Sequence, residues 1–242
     1  MIEFRNVTFR RGERTILHDL SFTVKKEERL AILGGSGEGK TTVLKLILRL
    51  LKPDKGQILI DGVDVTEKEE NELREIRRKF SIVFQDGALF DSMNVKENVA
   101  FYLREHMKMS EEAIEQRVAE LLGVVAMENT QLLMPEELSG GMLRRVAIAR
   151  SLAAHEPMMF FYDEPTSDLD PASAAKIRQL ILSLAKEGRG FIMVTHEIPD
   201  ALKTAQRFIF LKNGSIRFDG NRKEFLKATD PELSDFLSHW KE

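Results

Sequence analysis

A glycine-rich loop between two apolar segments constrains the fold of this 242-residue chain more than any other feature. Residues 34–42, GGSGEGKTT, follow the strand-like segment RLAIL and precede a mostly apolar run that reaches Pro53. Glycines let a backbone turn sharply, so the pattern predicts a strand, a tight loop and a buried helix, which together make a unit of an α/β fold. We expect the helix to stay buried as far as Pro53, because proline cannot continue it.

The same loop has the residue types that bind phosphate. Gly34, Gly39, Lys40 and Thr41 satisfy the pattern G-x-x-x-x-G-K-[ST] in the strand-loop-helix context that the pattern requires. Backbone N–H groups and a helix N-terminus attract phosphate, a lysine reaches the terminal phosphates, and a hydroxyl can bind Mg²⁺. We predict a site for ATP and Mg²⁺ made by Gly34, Gly35, Ser36, Gly37, Glu38, Gly39, Lys40, Thr41 and Thr42.

An acidic pair ends a second strand-like segment, MMFFYDE. A phosphate loop needs a carboxylate at a strand end to hold its metal, and Asp163 is the candidate. Glu164 follows it and is the candidate base that deprotonates the attacking water. An exposed acidic strand end is common, so the pair gains its meaning from the presence of Lys40 in the same chain.

Composition excludes several classes of protein. The 36 basic and 39 acidic side chains give a formal charge of -3, so no global positive field favours nucleic acid, and we expect no nucleic-acid partner. The chain has no cysteine, which excludes disulfides and thiolate metal sites and fits a reducing compartment. No apolar run approaches the roughly 20 residues that span a bilayer. We therefore expect a soluble chain that can dock on a membrane protein.

The rest of the chain alternates between strand-like and helix-like patterns. Apolar residues near period two surround a turn in residues 2–24, which predicts antiparallel strands, and GQILIDG predicts another strand. The pattern becomes helical over residues 87–154, and parallel-strand character returns with MMFFYDE and FIMVTH. We predict one α/β domain over residues 1–242, with a helical insertion near 87–154 and a C-terminal helical segment near 221–242.

Capping residues mark three helix starts. Ser110, Asp170 and Asp230 each precede a helical pattern, and the latter two are followed by proline at the first helical position. The apolar residues predicted to share one face of the first of these helices are Ile114, Val118, Leu121, Leu122 and Val125. The last helix has an apolar stripe, which we expect to dock on the domain itself, made by Leu233, Phe236, Leu237 and Trp240.

The segment LSGGM, residues 138–142, resembles the signature sequence of the ATP-binding subunits of ABC transporters, and the resemblance covers nearly the whole chain. It implies a P-loop NTPase fold with an ABC-type core sheet, an N-terminal antiparallel β subdomain and an inserted α-helical subdomain. Ser139 is a good N-cap, and Gly140 and Gly141 permit close backbone approach, so this helix start is a second anion site. The resemblance implies a head-to-tail pair of copies in which this loop covers the partner's ATP.

Further matches follow in the order of that family. Gln85, at the end of FSIVFQ, resembles the glutamine that senses the metal and links to the membrane partner, and it is a candidate metal ligand. The segment SDLD, residues 167–170, resembles a loop that crosses the dimer. His196, at the end of FIMVTH, resembles the switch histidine near the γ-phosphate and is a candidate catalytic residue with Glu164. Arg11 stands where many members place an aromatic residue against adenine; Phe9 is the alternative platform.

Longer segments narrow the resemblance to the Mla or Mkl branch of the family, whose ATPases serve phospholipid transporters. The segments are RRGERTILHDLSF, FQDGALFDSMNVKENVAF and LLMPEELSGGMLRRVAIAR. The branch implies an integral-membrane permease, MCE-type and small regulatory subunits as partners, and a place on the cytoplasmic face of the inner membrane. The alternatives are an ATPase for an amino acid, ion or lipoprotein transporter and, further off, a non-transport ABC protein or a regulatory GTPase, although the chain has no Asn-Lys-x-Asp guanine motif.

The segment after Gln85 is the candidate contact with the permease. QDGALFDSMNVKENVAF carries small and apolar residues in a stretch too short to form its own core. One interpretation is that Leu89, Phe90 and Val95 fix the helical block to the sheet. The family resemblance favours a groove for a short permease helix instead, with Leu89 and Met93 at its surface.

Overall fold

The computed structural model describes residues 1–153, 157–185 and 188–241. The strands are β1 (Ile2–Arg11), β2 (Arg14–Val24), β3 (Arg29–Leu33), β4 (Lys55–Ile60), β5 (Val63–Asp64), β6 (Phe80–Val83), β7 (Met159–Asp163), β8 (Gly190–Thr195), β9 (Arg207–Lys212) and β10 (Ser215–Asn221). The α-helices are α1 (Lys40–Ile47), α2 (Glu70–Arg77), α3 (Val95–His106), α4 (Glu111–Val124), α5 (Gly140–Ala153), α6 (Pro171–Ala185), α7 (Ile198–Thr204), α8 (Arg222–Phe225) and α9 (Pro231–Lys241). A short 3₁₀ turn spans Pro135–Glu137.

The six-stranded sheet brings four loops to one edge. Its strand order is β10-β9-β3-β8-β7-β6, and β9, β3, β8, β7 and β6 are parallel to their neighbours in that order. Strands β7 and β8 are buried throughout, as expected of parallel strands with both faces covered. The carboxyl ends of parallel strands share an edge, so the loops after β3, β6, β7 and β8 lie side by side.

The N-terminal sheet is antiparallel, as the alternating pattern predicts. Its order is β2-β1-β4-β5. One face packs on α1 and on the large sheet, and the rings of Phe4 and Phe22 stack there at 4.6 Å. Arg207 on β9 links the two sheets, because it donates to the Thr23 carbonyl at 2.7 Å and pairs with Asp219 on β10 at 2.6 Å. The predicted mixed α/β fold with an antiparallel N-terminal part is confirmed.

The helix after the glycine loop is shorter than the apolar run predicts. It ends at Ile47, and Leu50 is half exposed, so the expectation of a buried helix reaching Pro53 is wrong. The physical reason is a turn that the apolar pattern does not encode: Arg49 is left-handed at φ 51°, and the Leu50 N–H donates to the Lys45 carbonyl at 2.9 Å. The Arg49 side chain fixes this turn by donating to the Val65 carbonyl at 2.9 Å.

Helices α3, α4 and α5 lie between β6 and β7 in the chain and have a core continuous with one face of the large sheet. The cap of α4 is confirmed, since Ser110 Oγ accepts from the Ala113 N–H at 3.3 Å. The face predicted for α4 is also confirmed, because the buried residues are Ile114, Val118, Leu121, Leu122 and Val125. The boundaries of the insertion at 87–154 stay a prediction, and Ala154 lies outside the described residues.

The C-terminal helix α9 packs on the chain's own domain. Asp230 caps it by accepting from the N–H groups of Glu232 and Leu233, both at 3.0 Å. Leu233 and Leu237 are buried, which confirms the docking of the apolar stripe. The Phe236 ring packs on that of Phe210 at 5.0 Å. The side chain of Trp240 lies outside the described residues.

Candidate functional site

A cavity of about 920 Å³ lies at the sheet edge where the loops after the parallel strands meet. Its lining comes from the first hairpin, the glycine loop and α1, and the loops after β6, β7 and β8. The lining residues are Phe9, Arg11, Arg14, Ile16, Gly35, Ser36, Gly37, Gly39, Lys40, Thr41, Thr42, Lys45, Leu51, Gln85, Glu164, His196 and Phe236. The volume suits a cofactor-sized ligand.

Two positions of the loop require glycine. Gly39 has φ 93°, and a Cβ there would lie 2.6 Å from Leu17 Cδ2. A Cβ on Gly34 would lie 2.6 Å from the Leu211 carbonyl oxygen on β9. The loop is therefore held against β2 and β9, and its backbone faces the cavity at the start of α1, where helix N–H groups attract anions.

Lys40 is buried beneath the loop. Its Nζ donates to the carbonyls of Gly34 and Gly35, both at 2.9 Å, and lies 3.4 Å from Glu164 Oε1. A buried ammonium needs such partners, because an uncompensated charge is costly away from water. The same three donors can serve phosphate oxygens that enter the loop.

Asp163 and Thr41 form the second contact across the site. Thr41 Oγ1 donates to Asp163 Oδ1 at 2.7 Å, and Asp163 is 5% exposed. Burial raises the pKa of Asp163, and the hydrogen bond from Thr41 works in the opposite direction. A hydroxyl and a carboxylate suit Mg²⁺, which prefers oxygen and takes many of its ligands from water and substrate phosphate. Among the described residues no group of three or more His, Cys, Asp or Glu is placed to hold a metal ion.

Glu164 is fixed by the strand beside it. Its Oε2 accepts from Thr195 Oγ1 at 3.0 Å and from the His196 backbone N–H at 3.3 Å, and it lies 3.0 Å from His196 Nδ1. Glu164 is also left-handed, at φ 47°, a strained conformation for a residue with a Cβ. Thr195 holds the carboxylate but was not among the predicted residues, because its contact depends on the pairing of β7 with β8.

Most of the predicted site residues line the cavity; those that do not are Gly34, Glu38, Asp163, Ser139, Gly140 and Gly141. Arg11 and Phe9 both line the cavity, so the choice between them stays open. The Glu38 side chain turns away and accepts from the Asn213 N–H at 2.6 Å, so its side chain is not part of the cavity.

The signature residues lie apart from this cavity within one copy of the chain. Ser139 caps α5 by accepting from the Met142 N–H at 3.4 Å. A Cβ on Gly140 would lie 3.1 Å from Leu169 Cδ2, and one on Gly141 would lie 3.0 Å from Ser173 Cβ. Gly140 therefore borders the loop before α6, and Gly141 borders the first turn of α6.

Five lining residues were not predicted: Arg14, Ile16, Lys45, Leu51 and Phe236. Arg14 could have been found, since it pairs with Arg11 across the first hairpin. Phe236 has no local signal, because it reaches the cavity from a helix at the other end of the chain.

The sequence of this chain matches a known protein family. Residues 17–167 match the ABC transporter family. The intermembrane phospholipid transport system ATP-binding protein MlaF of Haemophilus influenzae is 39% identical over 98% of this chain and 90% of that protein. The MlaF protein of Escherichia coli K12 is 37% identical over 98% of this chain and 88% of that protein.

Solved structures give the same fold. A dimeric ATP-binding cassette in a post-hydrolysis state, bound to ADP and Pi, matches with a TM-score of 0.83 and 34% identity over 91% of this chain and 98% of that one. The cbiO1 protein from Clostridium perfringens, part of the ABC transporter complex cbiONQ, matches with a TM-score of 0.84 and 29% identity over 98% of both chains. Among the described residues no helix is long and apolar enough to cross a bilayer.

Proposed function

The chain belongs to the ABC transporter family as an ATP-hydrolysing subunit, and from this premise we propose that it drives the movement of phospholipid by a membrane transporter. One observation supports phospholipid as the cargo: the likeness to MlaF of Haemophilus influenzae extends over almost the full length of both proteins. A likeness limited to the ATP site would carry no information on cargo, because that site serves every transporter of the family. The likeness here includes the segments outside it.

We assign the residues of the cavity to steps of hydrolysis. Lys40 exchanges the Gly34 and Gly35 carbonyls for the β and γ phosphates of ATP. Glu164 accepts the proton of the attacking water, and the contacts of Thr195 and His196 with Oε2 aim its carboxylate. His196 is half exposed at the cavity and can bond a phosphate oxygen directly.

Thr41 and Asp163 are the residues that would hold Mg²⁺. Thr41 and Gln85 both line the cavity. When Mg²⁺ is bound, it would neutralise charge on the phosphates. The chain contributes a pair of oxygens, one from the first turn of α1 and one from the carboxyl end of β7. One hydrogen bond joins the two side chains.

We further propose that two copies associate head to tail, with the Ser139 loop of each covering the ATP of the other. Support comes from the position of Ser139, Gly140 and Gly141 at a helix start that lies away from the cavity of their own copy. The fold neighbour bound to ADP and Pi is dimeric. A serine hydroxyl and two glycine N–H groups at a helix start suit the γ-phosphate of a partner's nucleotide.

The segment after Gln85 is the proposed contact with the permease. Leu89 packs against the helical core, as expected if this segment fixes the helical block to the sheet. Phe90, in contrast, is 40% exposed. Asn98, fully buried, holds this loop by accepting from the Phe90 N–H at 2.8 Å and donating to the Met93 carbonyl at 2.8 Å. We therefore place the docking surface on Phe90 and Met93 and leave Leu89 to the core.

A second candidate is an ATPase for another cargo. A probable ribonucleotide transport ATP-binding protein, mkl, of Mycobacterium tuberculosis is 38% identical over 98% of this chain. The residues of the ATP site would be the same for either cargo, so only the permease separates the two candidates.

Purification of the tagged chain in mild detergent, followed by identification of bound chains and lipids by mass spectrometry, tests the proposal. We expect a permease with bound phospholipid. The complex in vesicles should move labelled phospholipid when MgATP is added, and the same complex carrying Glu164→Gln should not. A permease that carries a nucleotide or an ion but no lipid would overturn the cargo and leave the ATPase intact.

A further inference from the structure

Arg144, on the second turn of α5, is a buried arginine with no hydrogen bond or ion pair to the residues that the structure describes. The residue is 6% exposed, and its Nε is shielded from solvent with no hydrogen bond. Arginine stays protonated in proteins, so the charge cannot be relieved by loss of a proton.

The next residue of the same helix is an arginine whose side chain has hydrogen-bond partners. Arg145 donates to the carbonyls of Val125 and Ala126 at 3.3 and 2.8 Å and to that of Gly141 at 3.4 Å. Burial of an unpaired charge destabilises a fold, and an apolar side chain of similar size would be tolerated better. A residue that lowers the stability of the resting protein in this way is a candidate for a role in another state.

Two loops of the candidate site enclose the helix at the level of Arg144. On one side Gly87 packs on α5, where a Cβ would lie 3.4 Å from the Leu143 carbonyl and 3.5 Å from Ala147 Cβ. On the other side the first turn of α5 packs on the loop before α6 through Gly140 and on the first turn of α6 through Gly141. The turn of α5 that carries Arg144 is therefore contacted by the loop that follows Gln85, and the turn before it is contacted by the loop that follows Glu164.

Each of these loops carries an exposed carboxylate that has no hydrogen bond or ion pair in the described structure, Asp86 in the first and Asp168 in the second. Both act on the guanidinium at longer range: burial lowers the pKa of Arg144, and Asp86 and then Asp168 oppose that shift. Asp168 is left-handed at φ 61°, so its loop is under strain in the resting protein. Ser167 ties the same loop to Glu164, since its Oγ donates to the Glu164 carbonyl at 3.0 Å.

We propose that Arg144 is a positioning residue that forms ion pairs with Asp86 and Asp168 when nucleotide closes the site, and so fixes Gln85 and Glu164 for hydrolysis. The inference rests on the proposed roles of those two residues. A guanidinium has five donors in a planar fork, enough to hold two carboxylates on opposite sides. Small movements of two loops thus convert three unpaired charges into one buried network.

The first test compares Arg144→Met with Arg145→Met in the full chain. For Arg144→Met we expect an unchanged or raised Tm, an ATP Kd within twofold of the parent, and a kcat lowered at least tenfold. For Arg145→Met we expect a lowered Tm, because its hydrogen bonds exist already in the resting structure. Arg144→Lys keeps the charge and should recover part of the lost kcat.

The second test is a double-mutant cycle with Asp86→Asn and Asp168→Asn. If the three groups act as one network, each acid substitution lowers kcat in the parent but lowers it no further in the Arg144→Met background. Multiplicative losses in the double variants would overturn the proposal. So would parental kcat in Arg144→Met, or a fall in its Tm as large as that of Arg145→Met.

The Glu164→Gln variant separates this inference from the assignment on which it rests. Hydrolysis at the parental rate in that variant would remove the proposed base, and the network would then have no target. A slow Glu164→Gln together with a fast Arg144→Met would overturn the network alone.

Discussion

The Lys40 Nζ lies 3.4 Å from Glu164 Oε1, and the two side chains are only 7% and 10% exposed. The proposed phosphate ligand and the proposed base therefore neutralise each other in the resting site. Entry of ATP draws the ammonium toward phosphate, and the carboxylate is left with Thr195 and His196 as its partners. The contact between Lys40 and Glu164 therefore couples the binding of ATP to the activation of the base.

Lys40→Ala should weaken ATP binding, because it removes charge-assisted hydrogen bonds worth about 1.5–3 kcal/mol, a roughly 10- to 150-fold rise in Kd. Calorimetry with MgATP measures the change. Lys52→Ala, which removes an exposed lysine that pairs with Glu67, is the matched control and should bind as the parent does. Equal affinity in Lys40→Ala and the control would refute the phosphate-loop assignment.

Glu164→Gln should keep ATP affinity and lose hydrolysis by about 10²- to 10⁴-fold, the usual contribution of a positioned base. The amide can still accept from Thr195 but cannot take a proton from water. Phosphate release measures the rate, and size-exclusion with MgATP should show a stable pair of copies for the variant. Glu197→Gln changes the neighbouring carboxylate, 3.3 Å from His196 Nε2, and should hydrolyse normally; similar rates in both variants would contradict the assignment.

Arg11→Ala and Phe9→Ala decide which side chain stacks on adenine. Arg11 is exposed at the cavity, so its loss should raise the Kd for ATP by removing a stacking contact of about 0.5–2 kcal/mol and leave Tm unchanged. Phe9 also packs against the core, so its loss should lower Tm. Titration with ATP and GTP measures discrimination of the base; if only Phe9→Ala weakens ATP, Phe9 is the platform.

Ser139→Ala should leave the ATP affinity of a single copy unchanged and lower ATPase activity, because the lost hydroxyl faces the partner's nucleotide. Loss of the N-cap alone costs about 0.5–2 kcal/mol of stability. Ser110→Ala removes the equivalent cap of α4 and controls for that cost. It should have the same Tm as Ser139→Ala but keep the ATPase activity of the parent. A single-copy Kd as poor as that of Lys40→Ala would mean that the loop acts within its own copy.

A charge at Phe90 should separate the ATPase from its permease. Leu89 and Met93 were the predicted positions, but Leu89 is partly buried against the helical core. The Phe90 ring is 40% exposed, with the Arg150 guanidinium 5.6 Å from its centre. Phe90→Asp should fold and bind ATP normally yet fail to co-purify with the permease. Leu132→Asp, at an apolar residue that is 79% exposed elsewhere, is the control and should co-purify. Retention of the permease by Phe90→Asp would exclude this surface.

Local patterns were sufficient where short-range interactions decide the structure. The strands around the glycine loop, the acidic end of β7 and the cap at Ser110 all follow from neighbouring residues. Strand order then places the carboxyl ends of β3, β7 and β8 at one edge, and the predicted Lys40, Asp163 and His196 meet there.

Contacts between distant segments could not be read from the sequence. The apolar run after the loop gives no sign that Arg49 bonds the Val65 carbonyl and ends α1 early. The hold of Thr195 on Glu164 depends on the register of two parallel strands. Phe236 reaches the cavity only because α9 packs beside β9.

The strand order also governs when the site comes into existence during synthesis. Strand β3 is hydrogen-bonded on one side to β8 and on the other to β9, both from the last quarter of the chain. Residues 34–42 leave the ribosome early, yet the carbonyl of Leu211 that confines Gly34 is made long afterwards. Pairing over such separations is slow, because a long loop must close before any contact forms. We therefore expect a nascent chain that stops before Gly190 to carry the complete phosphate-binding sequence without the strands that flank β3.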